Sequence, residues 1–380
     1  MIKKKIMLVF GTRPEAIKMA PLFHALNIKK DLFEVKVCVT SQHRQMLDQV
    51  LNIFEIKPDI DLNIMQKDQK LSSLTSIMLD KMQKVFNKDK PDLVLIHGDT
   101  TTTLATSIAA FYESIPIGHV EAGLRTYNLS APFPEEFNRQ IASKIAKWHF
   151  APTKLSQENL LAEGVKKKNI TITGNTIIDA LHWVLNRIDK DERYKQNLQD
   201  FLGDILSFNW MNEKFVLITA HRRENFGLGF EQICSAIKEL AIKYKNIHFI
   251  YPVHLNPNVS KPVYENLSGF NNIHLIKPLE YRPFVYLLKY SLIVLTDSGG
   301  IQEEAPSLGK PVLVLREVTE RPEAVQAGTV KLVGINQKRI VDSVSNLIDD
   351  KKYYEIMSSA NNPYGDGHAC ERIVDVLSTI

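Results

Sequence analysis

Short aliphatic and β-branched runs alternate along the whole chain with longer stretches whose apolar residues recur at helical spacing. Runs of this kind, bounded by turn residues, suit strands buried on both faces, and their alternation with helices is the signature of parallel βαβ units. The first half predicts strands at Lys5–Phe10, Val35–Val39, Leu93–Ile96, Ile117–Val120, His149–Ala151 and Ile170–Thr173. Helical patterns fill the gaps at Glu15–Leu26, Arg44–Phe54, Leu71–Val85, Thr102–Tyr112, Glu136–Lys147 and Leu155–Glu163. After Gly174-Asn175-Thr176 a charged, mainly helical stretch runs to about Gly203, and a second series begins. It predicts strands at Phe215–Thr219, His248–Tyr251, Ile273–Ile276, Leu292–Thr296, Val312–Leu315 and Val330–Val333, and a last helix at His368–Leu377. The expected fold class is α/β: two Rossmann-like doubly wound domains, residues 1–175 and 176–366, facing a cleft with a hinge near residue 175.

Composition narrows this picture only at the edges. A chain of 380 residues exceeds one ordinary core, in keeping with two domains. Hydrophobic content of 44% with 24% charged residues is that of a globular protein, and no apolar stretch reaches the ~20 residues of a membrane span. The basic start Met1–Lys5 precedes an apolar run, Ile6–Phe10, that Gly11 ends too early for a signal peptide, so a cytoplasmic protein without a membrane partner is expected. The net charge of +4 is too weak an excess to argue for nucleic acid, and indicates an anionic small molecule at most. Cys38, Cys234 and Cys370 lie far apart, which predicts reduced, buried thiols.

The chemistry concentrates where predicted strands end. Asp99 follows Leu93–Ile96, Glu121 follows Ile117–Val120, and Glu135 stands a short loop further on. In a parallel α/β sheet, ligands gather beyond the carboxyl ends of the strands. The turn Thr296-Asp297-Ser298-Gly299-Gly300-Ile301-Gln302-Glu303-Glu304 combines a strand end, two glycines and a helix start, as a phosphate site requires. A plain helix cap by Asp297 or Ser298 is the simpler reading, but a cap needs no paired glycines. Glu304 is within reach of a ribose bound at such a turn.

The first turn, Phe10-Gly11-Thr12-Arg13-Pro14-Glu15-Ala16-Ile17-Lys18, matches neither a dinucleotide nor a P-loop pattern, yet Arg13 and Lys18 together suit a diphosphate. His221, Arg222 and Arg223 follow another strand and suggest a further grip on phosphate, or an acid that assists a leaving group. His254 fits an ordinary loop histidine equally well. In P-L-E-Y-R-P-F (Pro278–Phe284), Phe284 suits a flat base or the core. No second His or Cys stands at metal-ligand spacing, and no dinucleotide seat, nucleophile elbow or Walker lysine is present, so neither metal nor cofactor is expected.

Six motifs in order, G-T-R-P-E-A-I-K-M-A-P (Gly11–Pro21), H-G-D-T-T-T-T (His97–Thr103), H-V-E-A-G-L-R-T (His119–Thr126), P-E-E-F-N-R (Pro134–Arg139), H-R-R-E-N-F-G (His221–Gly227) and D-S-G-G-I-Q-E-E-A-P-S-L-G-K-P-V-L-V-L-R (Asp297–Arg316), resemble the non-hydrolysing bacterial UDP-N-acetylglucosamine 2-epimerases. The resemblance implies a GT-B-type fold with the C-terminal helix, within 367–380, packing back on the first domain. It implies reversible interconversion of UDP-GlcNAc and UDP-ManNAc through a glucal, for surface polysaccharide synthesis, and a homodimer. It places Asp99, Glu121, Glu135, His221 and Lys18 around the reaction. It also places Arg13, Phe284, Ser298, Gly299, Gly300, Glu304 and Arg321 on UDP. A second UDP-GlcNAc as activator is implied at Gln42 and Gln45, with Arg222 and His254 as partners. Asp68, however, stands where a basic residue is expected in activated members. The alternatives are a 2-epimerase of a deoxy or uronic UDP-HexNAc, a GT-B glycosyltransferase, a hydrolysing epimerase and a nucleotide-sugar sensor. The last would not require the acid cluster.

Overall fold

A computed structural model describes residues 3–40, 44–64 and 69–380. The chain divides into two compact units, Met1–Trp183 with Tyr364–Ile380 and Val184–Pro363. The division falls inside the helix Thr176–Lys190, and the helix Ala369–Thr379 packs on Arg13–Ile28 of the first unit.

Among the described residues the first unit holds a seven-stranded parallel sheet of β1 (Lys4–Phe10), β2 (Phe33–Val39), β3 (Ile60–Asp61), β4 (Leu93–His97), β5 (Ile117–Val120), β6 (Trp148–Ala151) and β7 (Ile170–Ile172), in the order β3-β2-β1-β4-β5-β6-β7. The second holds a six-stranded parallel sheet of β8 (Phe215–Thr219), β9 (His248–Pro252), β10 (Ile273–Ile276), β11 (Ile293–Thr296), β12 (Val312–Val314) and β13 (Val330–Leu332), in the order β10-β9-β8-β11-β12-β13. Every residue of β4 and β5 is buried, as expected of strands covered by helices on both faces.

Apolar side chains lock the layers together. Val9, Val94 and Ile96 of the first sheet share a core with Met78, Met82 and Phe86 of the helix Leu71–Asp89 and with Ala105 and Ala109 of Thr101–Tyr112. In the second unit Val216, Ile218, Leu295 and Leu313 pack with Phe230, Ile233 and Ile237 of Leu228–Lys243 and Val344 of Gln337–Asp349. Fully burying each such aliphatic side chain contributes roughly 1.5–3 kcal/mol.

The sequence pattern missed β3. Two residues cannot display an alternation, and this strand exists because Cys38 and Val39 of β2 offer it a pairing edge at Ile60 and Asp61. The strand orders carry the functional consequence. Each sheet grows outward in opposite directions from a central pair, β1 beside β4 in one and β8 beside β11 in the other. Crevices for ligands open at such reversals. The loops leaving those four strands are the ones that carry Arg13, Asp99, His221 and Ser298–Gly300.

Candidate functional site

At the end of β1 the backbone makes a turn that only glycine allows. A Cβ on Gly11 would lie 2.0 Å from Thr40 Oγ1 and 2.5 Å from Thr102 Oγ1. Glu15, fully buried, accepts the N–H groups of Gly11 (3.1 Å) and Thr12 (2.8 Å) on one carboxylate oxygen and the Thr100 hydroxyl (2.7 Å) on the other. Burial raises its pKa while these bonds hold it down. Glu15 thereby ties the first turn to the loop after β4. Arg13 begins the helix, half-buried, and its side chain makes no hydrogen bond or ion pair with another described residue. Pro14 behind it suits the helix start.

The acids lie beyond β4 and β5. Glu121, held at φ +60° in the left-handed region that non-glycine residues seldom adopt, turns its carboxylate inward to 9% side-chain exposure. Its Oε2 is ion-paired with Lys18, accepts the Asn175 amide at 2.7 Å and lies 3.8 Å from His97 Nε2. Lys18, read from sequence as a cation for a diphosphate, is thus already engaged by a carboxylate. His97 is buried with neither ring nitrogen hydrogen-bonded, and burial lowers its pKa to about 4 despite Glu121 nearby, so the ring is neutral.

Asp99 is 28% exposed and meets Arg139 at 3.1 Å. Its pKa is pushed up to about 6, by burial first and by Glu121 and Glu135, with Arg139 pulling the other way. The Asn138 side chain holds the Asp99 carbonyl at 2.9 Å. Glu135 is the first residue of the helix Glu135–Ile145 and is half-buried. Its neighbour Glu136 is fully buried and accepts the N–H groups of Thr126 and Tyr127 (both 3.0 Å) and the Gln140 amide (2.8 Å), which fixes the loop after Glu121 onto that helix.

The strand ends of the second unit carry a different kind of chemistry. Asp297, fully buried at the end of β11, does not cap the following helix. Its Oδ2 accepts the N–H groups of His221 (2.8 Å) and Arg222 (2.7 Å) and the Asn225 amide (3.2 Å), while Oδ1 lies 3.4 Å from His221 Nδ1. One carboxylate therefore fastens the loop after β8 to the loop after β11. His221 is 40% exposed and stacks on His254, with centroids 5.6 Å apart. Burial lowers the His221 pKa, with Asp297 opposing and His254 and Arg222 adding to the fall.

Ser298 stands at the N-cap of the short helix Gly299–Glu304 but its side chain makes no capping hydrogen bond. The helix N–H groups therefore have no side-chain cap, and two guanidinium groups converge on them. A Cβ on Gly299 would lie 3.7 Å from Arg321 Nη2 and 4.0 Å from Arg222 Nη2. Arg222 Nε is buried without a hydrogen-bond partner. Arg321 is oriented by Glu303 at 2.5 Å. Glu304, 6% exposed, accepts the Tyr281 hydroxyl at 3.0 Å. Phe284 lies half-buried on the same helix as Tyr281, Tyr281–Tyr290. Backbone N–H groups, two arginines and a helix start make an anion seat.

The structure thus gathers Lys18, Asp99, Glu121 and Glu135 in the first unit, and His221, Arg222, His254, Ser298, Gly299, Gly300, Glu304 and Arg321 in the second. Gln42 and Asp68 lie outside the described residues, as does the side chain of Gln45. Residues not singled out by the sequence hold the others in place, Glu15, Glu136, Arg139, Asn175 and Tyr281 among them, and Asp297, read from the sequence as a cap candidate, proves to be a fastener between two loops. Glu15 carried a local signal, since Thr12 followed three residues later by Glu is a capping-box spacing.

A family model described as UDP-N-acetylglucosamine 2-epimerase matches residues 25–378. The UDP-N-acetylglucosamine 2-epimerase of Campylobacter jejuni is 57% identical over 374 residues, covering 98% of this chain and 97% of its own. That of Escherichia coli K12 is 56% identical over 373 residues, covering 98% of both. The crystal structure of UDP-GlcNAc 2-epimerase from Neisseria meningitidis, bound to UDP-GlcNAc, superposes with a TM-score of 0.88 at 54% identity, over 99% of this chain and 100% of that one. With a family model that spans residues 25–378 and 57% identity to a relative over nearly the whole of both chains, the chain belongs to the UDP-N-acetylglucosamine 2-epimerase family.

Proposed function

We propose that the protein interconverts UDP-GlcNAc and UDP-ManNAc without hydrolysis, by eliminating UDP to a 2-acetamidoglucal and adding it back. The observation that carries the mechanism is the contrast of the two neighbouring acids. Glu121 faces an ammonium and an amide donor, whereas burial pushes the Asp99 pKa up to about 6. Pairs of carboxyl groups in opposed environments are what acid–base exchange at one carbon requires. The C2 proton of the sugar is not acidic, because no carbonyl is attached to that carbon. Departure of UDP gives C1 cationic character. The C1–O bond breaks with its electron pair leaving on the diphosphate, the C2 proton passes to a carboxylate, and a C1–C2 double bond forms. Protonation of C2 from the opposite face and return of UDP to C1 complete the inversion.

In this reading Asp99 and Glu121 move the proton and Glu135 assists. Arg13, His221, Arg222, Arg321 and the Ser298–Gly300 turn stabilise the charge that grows on the diphosphate. Glu304 takes the ribose and Phe284 the base. Residues 1–175 with the C-terminal helix form the acid-bearing domain, and 176–366 the nucleotide-holding one. The protein is a cytoplasmic homodimer that needs no cofactor and supplies ManNAc for surface polysaccharide. A second UDP-GlcNAc is a candidate activator through Gln42, Gln45, Arg222 and His254. The Neisseria meningitidis relative bound to UDP-GlcNAc supports the choice of nucleotide sugar.

The test is incubation with UDP-GlcNAc in D2O, followed by NMR. Deuterium entering C2 as UDP-ManNAc appears is the expected result. Release of free ManNAc and UDP would make the protein a hydrolase, and an unchanged substrate would point to a different HexNAc or to a transferase.

A further inference from the structure

β8 and β11 lie side by side in parallel register, with Thr219 opposite Thr296, so His221 and Asp297 leave the sheet close together. The Asp297 N–H continues the ladder to the Thr219 carbonyl at 3.0 Å. Its two carboxylate oxygens then have separate surroundings. Oδ2 accepts three donors, the N–H groups of His221 and Arg222 and the Asn225 amide. Asn225 also donates to the Leu315 carbonyl at 3.3 Å, and Arg316 holds Glu224 of the same loop at 2.5 Å. The loop after β8 is therefore fastened without Oδ1.

Oδ1 is buried, makes no hydrogen bond and lies 3.4 Å from His221 Nδ1. A buried carboxylate oxygen without a donor is unfavourable, because its hydration is lost and nothing replaces it. A carboxylate only accepts, so this ring can satisfy Oδ1 only when Nδ1 carries a hydrogen. The other ring nitrogen, Nε2, makes no hydrogen bond with a described residue. Stacking on His254, with the two planes 15° apart, restrains the ring. Asp297 is wholly buried whereas His221 is 40% exposed, so the carboxylate stands behind the ring.

With Nδ1–H turned to Asp297, a neutral ring would present a bare nitrogen at Nε2, which a diphosphate oxygen repels. The imidazolium presents N–H there instead. We propose that Asp297 is a positioning residue for His221: its Oδ1 takes the Nδ1–H, so that the ring meets the departing diphosphate as an imidazolium with Nε2–H toward it. The inference rests on the role proposed above for His221 at the diphosphate.

The titratable and charged groups around the pair are Arg222 and His254 beside the ring and Tyr251 beside Asp297. Burial, His254 and Arg222 work against the cation, and Asp297 works for it. Tyr251, whose hydroxyl donates to the Ala220 carbonyl at 2.8 Å, is held protonated by burial and takes no part.

The test is an NMR titration of protein labelled on its histidine ring nitrogens, with UDP bound, in which His221→Asn identifies the His221 signals. It is paired with kcat, KM and the pH profile of epimerisation, and thermal melting is the folding control. Asp297→Asn is nearly isosteric: its amide oxygen keeps the three loop donors and its NH2 replaces Oδ1, which disfavours hydrogen on Nδ1. The wild type should show both ring nitrogens protonated near neutral pH. In Asp297→Asn the His221 cation should be lost at a pH at least about one unit lower, since an opposite charge within a few ångströms favours the charged form. With it kcat falls roughly tenfold or more and the alkaline limb of the profile moves to lower pH. A neutral His221 in the wild-type UDP complex overturns the proposal, as does an unmoved His221 titration in a folded Asp297→Asn. Wild-type kcat in His221→Asn shows instead that the role of His221 at the diphosphate fails, and the proposal falls with it. Should Asp297→Asn not fold, the wild-type spectrum decides alone, an imidazolium with a hydrogen-bonded Nδ1–H supporting the proposal and a neutral ring overturning it.

Discussion

The strand ends of the first sheet gather carboxylates, and those of the second gather guanidinium groups and uncapped backbone N–H. The difference goes beyond charge. In the first unit Glu121 has Lys18 and Asp99 has Arg139 as a compensating partner, so little of the charge on these two acids awaits a ligand. In the second, Arg222 Nε is buried without a partner and Arg222 and Arg321 converge on Gly299, where an anion would complete the set. Compensated acids suit a proton that must leave and return, and a half-satisfied cationic turn suits binding charge. In the reading proposed here, the first unit works on the sugar and the second holds the leaving group.

The change with the largest expected effect is Asp99→Asn. A positioned acid–base group contributes about 10²–10⁴-fold, so kcat falls by that order while melting temperature and circular dichroism hold. Turnover within twofold of the wild type would take proton chemistry away from this end of the sheet. Arg222→Ala tests the other side. Alanine keeps the backbone bond to Asp297 and removes only the guanidinium. A lost charge-assisted contact costs about 1.5–3 kcal/mol, which is roughly ten- to a hundredfold in UDP affinity by calorimetry, with kcat less affected than KM. A collapse of kcat at unchanged UDP affinity would erase the contrast between the two units.

Smaller effects sharpen it. Gly11→Ala forces a methyl against Thr40 and Thr102 and should destabilise the fold by about 1–3 kcal/mol, read from the urea midpoint. The smallest effect is a pH slope. Asp99 holds its proton to about 6 in the folded chain against an ordinary value of 3.8, so between those values the folded state binds more protons than the unfolded one. Stability contributed by this group is then full below that window and declines as pH rises through it. The melting temperature should show this decline in the wild type and lose it in Asp99→Asn.

Much of the fold was legible because parallel strands covered on both faces must be short apolar runs. Ile117–Val120, Phe215–Thr219 and Ile273–Ile276 run between the residues the pattern indicates. The strand Ile60–Asp61 was not legible, since its identity lies in the edge it pairs with. At the site, Asp99, Glu121 and the Ser298–Gly300 turn could be found from their places after strands. Lys18 could be found too, but its partner could not. His97 was hidden by its position as the last residue of a buried strand, where a histidine is usually a packed core residue. Asp297 was open to reading as a cap because Asp before a helix most often is one, and only the approach of the loop after β8 gives it another use.

The chain by itself determined the strand–helix alternation, the glycine turns and which chemistry stands at each strand exit, because propensity, periodicity and turn geometry act over a few neighbouring residues. Tertiary structure alone decided the pairings that give those groups their character. Lys18 meets Glu121 across 103 positions, Asn175 meets it across 54, and Asp297 reaches the His221 backbone across 76. Whether an acid is held as an anion or keeps a proton to about 6 depends on burial and on the nearest cation. Both are properties of the packed sheet ends and of no segment taken alone.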